Sequence, residues 1–573
     1  MKITYIPGYK DLYGDIPADY DHVVAKLPSE VLIIAAASLN DELNERMNDE
    51  NVQFTILSRL TARFPPHLQM DLQRRIKSYQ ARSNYLSQVI LFERIVFLEL
   101  ISHEVKRNIQ FELTDISPEQ ELNILWAYLL TVDRLHQRNS ASFKKAIDAP
   151  IDEHTLYREV WVPLLYQYQY NEYPYPPYLY YKLTSFLLYS LNHFRGYLRE
   201  YLHARGMKSI SELLNSFYEV NKAAVQFNRR EFLPGLKYIN PKPDVDTRHL
   251  DSMTINEQMG NEIGLGTIKR MPLYFRKDKG YIILDRGFYY KKIYLGPYFE
   301  LHHETTLSIT NFNSYSGTIA KEVLENICFK HILQALKRTL NTILQFDTDG
   351  HDYPDAYYRD GPIALLFELK AYIFRDDLPV NPDFDTLKAY LDSRFIANDE
   401  GKKKGIGQLC EKLELLAAGK AKFDPAVAIE GRKEKLTVYP IISFDDFNFT
   451  LPGVNDYLAK RMNSMLSDNA KKVLNIRPLV LVNLDILHRF AVGQRSFHHV
   501  IEMLDFYEKI LKGRRHNYHR TKDRGHWLQS IIGLDEIFHN LFFDKISSDL
   551  QRPNMMVLLS RQNVTQQLLE TAV

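Results

Sequence analysis

The residues best placed to do chemistry lie between Asp355 and Lys370. Asp355 follows a proline, a glycine–proline turn comes next at 361–362, and an apolar run over 363–369 carries Glu368 one residue before its end. Side chains alternate along a strand, so Glu368 and Lys370 are expected on one face of it. If Asp355 lies on the neighbouring arm of a hairpin, its carboxylate meets Glu368 across the ladder. Two carboxylates beside a lysine form a site for a hard divalent cation.

The strand that carries these residues is itself informative. The run 363–369 is apolar everywhere except at Glu368, which indicates burial on both faces near the centre of a sheet. Burying a carboxylate and an ammonium there is costly unless the two are paired or bind a cation. A buried Glu–Lys pair without a catalytic role is therefore the alternative to a metal site.

Composition limits the classes of protein that the chain can belong to. Its 573 residues are 45% hydrophobic and 25% charged, and the net charge is +1, so a nucleic-acid surface would have to be a local patch. Cys328 and Cys410 lie outside any zinc-type spacing, and so few cysteines favour a reducing cytoplasm. The longest apolar stretch, 88–101, is interrupted by charges, so no membrane partner is expected.

The first part of the chain has the pattern of helices. Apolar residues recur at three- and four-residue spacing and predict helices over 83–106, 118–137, 181–203 and 210–225. We interpret 1–245 as a helical domain for sensing, partner binding or homo-oligomerisation. Aromatic and β-branched runs separated by turns follow, and they predict strands over 271–275, 280–285, 288–295 and 298–301. Residues 246–315 are accordingly expected to form a β-rich connecting segment.

The remainder, 316–573, is predicted to be a mixed α/β domain with a helical C-terminal extension. A helix over 318–344 carries Glu322 and Glu325 beside its apolar stripe, and a second helix that begins near 405 carries Gln408. Strands are expected over 435–444 and 477–484. The whole chain is thus an α+β multidomain protein with an all-α N-terminal half.

These motifs together resemble the PD-(D/E)xK, or restriction-endonuclease-like, nuclease superfamily. Pro354-Asp355 and Glu368-Leu369-Lys370 match its signature, and the resemblance covers roughly 316–485. That family places an acid on the preceding helix, here Glu325 or Glu322, and often a glutamine on the helix after the lysine strand, here Gln408. The resemblance implies that Asp355, Glu368 and the Leu369 carbonyl hold Mg²⁺, for which Mn²⁺ can substitute, with Glu325 or Glu322 completing a second metal position.

The resemblance also implies a function. Lys370 would orient the attacking water and offset charge on the phosphate, and it could act as a base if its pKa were depressed. We expect a Mg²⁺-dependent endonuclease acting on nucleic acid, with DNA favoured, in the cytoplasm. Analogy of architecture suggests bacterial defence against phage or other foreign DNA. The alternative is a catalytically inactive nucleic-acid-binding or scaffold protein that retains the nuclease fold.

Overall fold

The structure is a computed structural model. It describes residues 6–14, 19–43, 50–82, 90–111, 116–148, 152–168, 175–214, 247–277, 279–347, 353–375, 378–379, 382–425 and 435–538. In these ranges no helix is both long enough and apolar enough to cross a membrane.

The first part of the chain is helical, as predicted. The apolar stripes of α3 and α6 face each other in a shared core. Ser117 fixes the start of α7, because its side chain accepts a hydrogen bond from the backbone N–H of Gln120. The predicted helix over 210–225 is described only as far as 214. The helices are α1 (Tyr9–Tyr13), α2 (Tyr20–Val24), α3 (Ser29–Leu43), α4 (Glu50–Leu60), α5 (Pro66–Arg82), α6 (Arg94–Arg107), α7 (Pro118–Ile147), α8 (Thr155–Tyr168), α9 (Pro176–His193) and α10 (Arg195–Ala204).

The segment 246–315 is mostly helical, so the prediction of a β-rich segment is wrong. It contains one antiparallel hairpin, β1 (Leu273–Arg276) with β2 (Gly280–Ile283). The runs 288–295 and 298–301, predicted as strands, lie within one helix. The helices are α11 (Arg248–Asp251), α12 (Leu265–Arg270) and α13 (Arg286–His303), with 3₁₀ turns at Asn256–Gln258 and Thr306–Ile309.

A buried polar cluster explains why α13 begins where it does. The Asp285 carboxylate accepts a hydrogen bond from the Phe288 N–H at 2.8 Å, which caps the helix. It also accepts one from Arg94 Nε at 2.6 Å and one from Asn40 Nδ2 at 3.0 Å. These contacts tie α13 to α3 and α6. Short aromatic runs do not distinguish a strand from a buried helix, and here the cap and the tertiary contacts select the helix.

A six-stranded mixed sheet organises the rest of the chain. The strand order is β3-β4-β5-β6-β7, and β8 also pairs with β6. β3, β4 and β5 form an antiparallel meander, whereas β6 runs parallel to β5, and β7 and β8 run parallel to β6. The strands are β3 (Ile343–Phe346), β4 (Ala356–Asp360), β5 (Ile363–Lys370), β6 (Thr437–Phe444), β7 (Asn475–Ile476) and β8 (Val480–Asn483).

Helices cover both faces of this sheet. Leu365 and Phe367 of β5 pack in one core with α15, α20 and α21. Ala364 and Leu366 point the other way and pack in a second core with α16, α17 and α18. The helices are α14 (Phe312–Ile319), α15 (Lys330–Leu336), α16 (Phe384–Phe395), α17 (Gly405–Ala417), α18 (Val454–Met465), α19 (Asp468–Val473), α20 (Leu484–Val492), α21 (Phe497–Thr521), α22 (Arg524–Ser530) and α23 (Leu534–Ile537), with a 3₁₀ turn at Phe447–Thr450.

The helix predicted over 318–344 has different limits in the structure. It begins at Phe312, passes through a π-helical segment (Ala320–Phe329) and ends at Leu336. The run that follows, Ile343–Phe346, is strand β3, because it hydrogen bonds to β4 at the edge of the sheet. The prediction extended the helix into residues that belong to the sheet.

Two helices of the predicted N-terminal domain pack against the sheet-containing part of the chain. In α8, Trp161 Nε1 donates a hydrogen bond to the Pro452 carbonyl at 2.9 Å, and the Tyr157 hydroxyl donates one to Asp456 at 2.6 Å. The apolar side chains of α9 join the core on the opposite face of the sheet. Packing therefore connects α8 and α9 with the β-sheet layer.

Candidate active site

Glu368 and Lys370 lie at the end of β5 and are almost completely buried. Glu368 is 1% exposed and Lys370 is 8% exposed. By strand alternation they share the sheet face of Ala364 and Leu366, which packs against α17. Lys370 Nζ donates hydrogen bonds to Glu368 Oε2 at 3.2 Å and to Gln408 Oε1 at 2.9 Å.

Asp355 meets the same strand end from the neighbouring strand. Ala356 of β4 pairs with Phe367 of β5, so Asp355, one residue earlier, lies opposite Glu368. Asp355 Oδ2 accepts a hydrogen bond from the Leu369 N–H at 2.6 Å. The structure thus brings the two carboxylates, the lysine and Gln408 together at one end of the hairpin.

Two glycines allow α17 to bring Gln408 close to the lysine. Gly405 has φ +40°, and a Cβ there would lie 2.8 Å from the Phe395 carbonyl oxygen. A Cβ on Gly407 would lie 2.7 Å from the Ile396 carbonyl oxygen. Gln408 Oε1 also accepts a hydrogen bond from the Gly405 N–H at 2.9 Å, so it caps its own helix while it holds Lys370.

The π-helical segment carries both acids that the sequence left as alternatives. Glu325 is half-buried, and its pKa is raised by burial and by the negative charge of Asp355. Glu322 instead accepts a hydrogen bond from Asn326 Nδ2 at 3.1 Å and raises the pKa of Tyr189. Of these two acids, Glu325 is the one whose pKa responds to the charge of Asp355. π-Helical turns are rare in proteins, and those that occur are often found at functional sites.

Asp347 is an acid near this site that the sequence analysis missed. It directly follows β3, and Phe346 of β3 pairs with Ala356 of β4, so Asp347 lies opposite Asp355. Its charge raises the pKa of both Asp355 and Glu325. The sequence signal for Asp347 is its position just after the short apolar run 343–346. The predicted helix over 318–344 includes the start of that run, so the strand and the acid after it are not recognised.

Burial and charge crowding shift the pKa values of these groups. Burial and then the negative charge of Asp355, against the opposing effect of Lys370, raise the pKa of Glu368 to about 8. Burial also raises the pKa of Asp355. For Lys370, burial favours the neutral amine, but the charges of Glu368 and Asp355 outweigh it and raise the pKa. Lys370 is thus an ammonium at neutral pH, which suits it to orient water and not to act as a base.

The oxygen atoms gathered here fit a hard cation. The Asp355 and Glu368 carboxylates and the Leu369 carbonyl are ligands that Mg²⁺ prefers, and a cation would relieve the crowding that raises both carboxyl pKa values. Glu325 does not join Asp355 and Glu368 in a group whose ligand atoms all lie within 4.8 Å of one another. Mg²⁺ usually keeps several waters, so Glu325 suits a contact through water.

One group of three possible ligands within that distance occurs among the described residues, and it lies elsewhere. It consists of Asp11, Asp133 and His136. Asp133 accepts a hydrogen bond from the Lys10 N–H at 3.2 Å, and Asp11 accepts one from the Gly8 N–H at 2.9 Å. Asp133 thus holds the N-terminal segment against α7, whereas Asp11 caps the start of α1.

Several cations lie beside the candidate site. The pKa of Lys404 is lowered by burial and then by the positive charges of Lys402, Lys370 and Arg394. Lys402 is exposed and Lys404 is half-buried, and both precede α17. These positive charges favour a polyanion near the candidate site.

Comparison of the chain with protein-family models, with curated proteins and with solved structures finds no match.

Proposed function

We propose that this protein is a metal-dependent nuclease of the PD-(D/E)xK type, which hydrolyses phosphodiester bonds. The observation that supports the proposal most strongly is the meeting of Asp355, Glu368, Lys370 and Gln408 at one end of a buried hairpin. The order of elements also agrees with the resemblance: an acid-bearing helix, a hairpin with two acids, and a helix with a glutamine. A structural ion pair alone would need neither Asp355 nor Gln408.

In this proposal each side chain has a distinct role. Asp355, Glu368 and the Leu369 carbonyl would hold Mg²⁺, which would supply Lewis-acid stabilisation of negative charge on the phosphate. Lys370 orients the attacking water and offsets charge on the phosphate oxygens. Gln408 holds the Lys370 ammonium at this position, because its hydrogen bond to Lys370 does not depend on Glu368.

The substrate that we favour is DNA. The positive charges of Lys402, Lys404 and Arg394 would attract the phosphate backbone. This attraction does not depend on the base sequence. Cleavage of foreign DNA in a bacterial cell is the biology that we propose by analogy of architecture, with the helical N-terminal half binding a partner, a signal or a second copy.

Cleavage assays test this proposal directly. Plasmid DNA, single-stranded DNA and RNA are incubated with the protein in Mg²⁺, in Mn²⁺ and in EDTA. We expect cleavage with either metal and none in EDTA. Asp355→Asn keeps an oxygen for the Leu369 N–H but removes a charge, so it should abolish cleavage. Asp360→Asn, at the exposed far end of the same strand, is the matched control and should remain active.

The outcomes separate the candidates. Equal activity of the two variants, or cleavage in EDTA, would refute the metal role. Binding of nucleic acid without cleavage in either metal would support the inactive nucleic-acid-binding protein instead.

A further inference from the structure

A cavity of about 630 Å³ lies at the other end of the sheet from the candidate active site. It is bounded by α18, α19, α21 and α22 and by the first residues of β6, β7 and β8. In the pairing of β5 with β6, Lys370 is opposite Phe444, whereas the cavity begins at Lys435 and Tyr439. Tyr439 and Phe444 are separated by about 16 Å along β6. A ligand in this cavity is therefore separate from a metal at Asp355.

The cavity wall is positively charged. Among the residues that the structure describes, five lysine and arginine side chains line it, against two carboxylates. The lysines and arginines are Lys435, Lys460, Lys471, Arg477 and Arg515, and the carboxylates are Asp456 and Glu508.

Those two carboxylates are engaged by some of the cations. Asp456 accepts from Arg515 at 2.9 Å and from Lys460 at 2.8 Å. Arg477 forms an ion pair with Glu508 at 2.9 Å and another with Asp505 at 2.6 Å. Asp505 lies outside the cavity wall. These pairs fix the arginines.

Two of the lysines are available to a ligand. Lys435 precedes β6, Lys471 is in the last turn of α19, and both are exposed. Neither of these lysines has an ion pair with a described residue of the chain. An anion entering the cavity can bind both without breaking a pair, whereas a cationic ligand would be repelled.

Aromatic rings form another part of the wall. Tyr439, Tyr507 and Trp527 are buried and make the floor, and Tyr518 of α21 is half-buried. The Tyr518 ring carries Lys522 Nζ at 5.6 Å from its centre. A flat heterocycle can stack on such a ring, and base–aromatic stacking does not require a particular base. The exposed amide of Asn463 lies at the same cavity and can hydrogen bond to a base edge.

We propose that this cavity binds a nucleotide, with its phosphates on Lys435 and Lys471 and its base against Tyr518. The volume lies within the range of small-molecule sites, and cations combined with aromatic rings match the two parts of a nucleotide. The inference does not depend on the proposed nuclease activity. The same chemistry is found in a free nucleotide and in the end of a nucleic-acid strand, and we assign the cavity to the free nucleotide.

Binding measurements on the full chain test this assignment. ATP, AMP, inorganic pyrophosphate and a 5′-phosphorylated single-stranded oligonucleotide are titrated in EDTA, with calorimetry and intrinsic tryptophan fluorescence, to which Trp527 contributes, as readouts. We expect ATP to bind and to change the fluorescence. Lys471→Glu should weaken ATP binding at least about tenfold, which corresponds to the loss of one charged contact. Lys472→Glu changes the next residue, which is exposed and outside the cavity, and should leave the affinity unchanged.

A second variant tests the base-binding part. Tyr518→Leu should weaken ATP and AMP and leave pyrophosphate unchanged, and thermal melts confirm that each variant is folded. The proposal is overturned if ATP does not bind, if the 471 and 472 variants lose affinity equally, or if pyrophosphate binds as tightly as ATP. Binding of the oligonucleotide without ATP would assign the cavity to nucleic acid and would also overturn it.

Discussion

Replacing Glu368 by glutamine separates a metal ligand from a structural ion pair. Glu368 is 1% exposed, and its carboxylate accepts a hydrogen bond from Lys370 at 3.2 Å. Glutamine keeps the shape of the side chain and an oxygen for Lys370, but it cannot carry a negative charge. If the carboxylate is a cation ligand, the substitution should lower stability and cleavage only when a cation is present.

The structure allows the two cases to be distinguished by magnitude. Because burial, with the charge of Asp355, raises the pKa of Glu368 to about 8, this carboxyl takes up a proton more readily than a free glutamate when no metal is bound, and glutamine mimics the protonated form. Glutamine does not ionise, so Glu368→Gln in EDTA should leave the free energy of unfolding unchanged or raise it, because folding no longer buries a carboxyl whose pKa is raised. If the pair with Lys370 is instead a structural salt bridge, breaking it costs about 3–5 kcal/mol.

Thermal melts in EDTA and in Mg²⁺, together with plasmid cleavage, measure the difference. At a metal concentration of 100 times Kd, the wild type gains about 2.7 kcal/mol of stability and the Gln variant should gain much less. Cleavage should fall by about 10²–10³-fold. Glu411→Gln, on the exposed side of α17, is the control and should behave as the wild type. A large drop in Tm in EDTA, or equal stabilisation of both proteins by Mg²⁺, would refute the metal-ligand role.

Lys370, Asp347 and His488 each allow a further test by substitution. Lys370→Met keeps the apolar stem, so stabilisation by Mg²⁺ should persist while cleavage falls by about 10²–10³-fold; loss of the Mg²⁺ effect on Tm would argue against this role. Asp347→Asn removes a charge beside Asp355, so the Mg²⁺ concentration for half-maximal cleavage should rise several-fold, and an unchanged value would place Asp347 outside the site. Burial, and then the positive charge of Arg489, lowers the pKa of the fully buried His488 to about 3. The neutral ring therefore contributes fully to the stability of the fold above about pH 6.5, and this contribution is lost as the pH falls towards 3. His488→Phe should therefore remove about 2 kcal/mol of the stability lost between pH 6.5 and pH 5, which melts at the two pH values would detect.

The sequence predicted the hairpin well because its signals are local. The apolar run 363–369 and the turn before it define β5, and strand alternation places Glu368 and Lys370 on one face. The predicted strand over 435–444 is also confirmed as β6. The metal-binding and catalytic roles stay predictions, because the placement of the side chains does not test their chemistry.

Other features depend on contacts that are distant in the sequence. The aromatic run 288–295 became a helix because Arg94 and Asn40, far away in the chain, hold its capping Asp285. The amphipathic pattern of α9 predicts a buried face but not that this face packs towards the β-sheet. Asp347 was missed because it depends on the pairing of β3 with β4, which no short pattern reveals.

The π-helical segment determines the direction in which Glu325 faces relative to the core residues of the same helix. Each π turn takes up about one residue more than an α turn, so residues before and after 320–329 face directions that a regular helix would not give them. Deleting one residue within the segment would restore an α-helix and rotate either Glu325 away from Asp355 or Ile332 and Leu336 out of the core. The wide turns thus allow one helix to satisfy two surfaces that a regular helical period cannot serve together. Chain length in this segment is therefore under tighter constraint than residue identity, and insertions or deletions there should be less tolerated than substitutions.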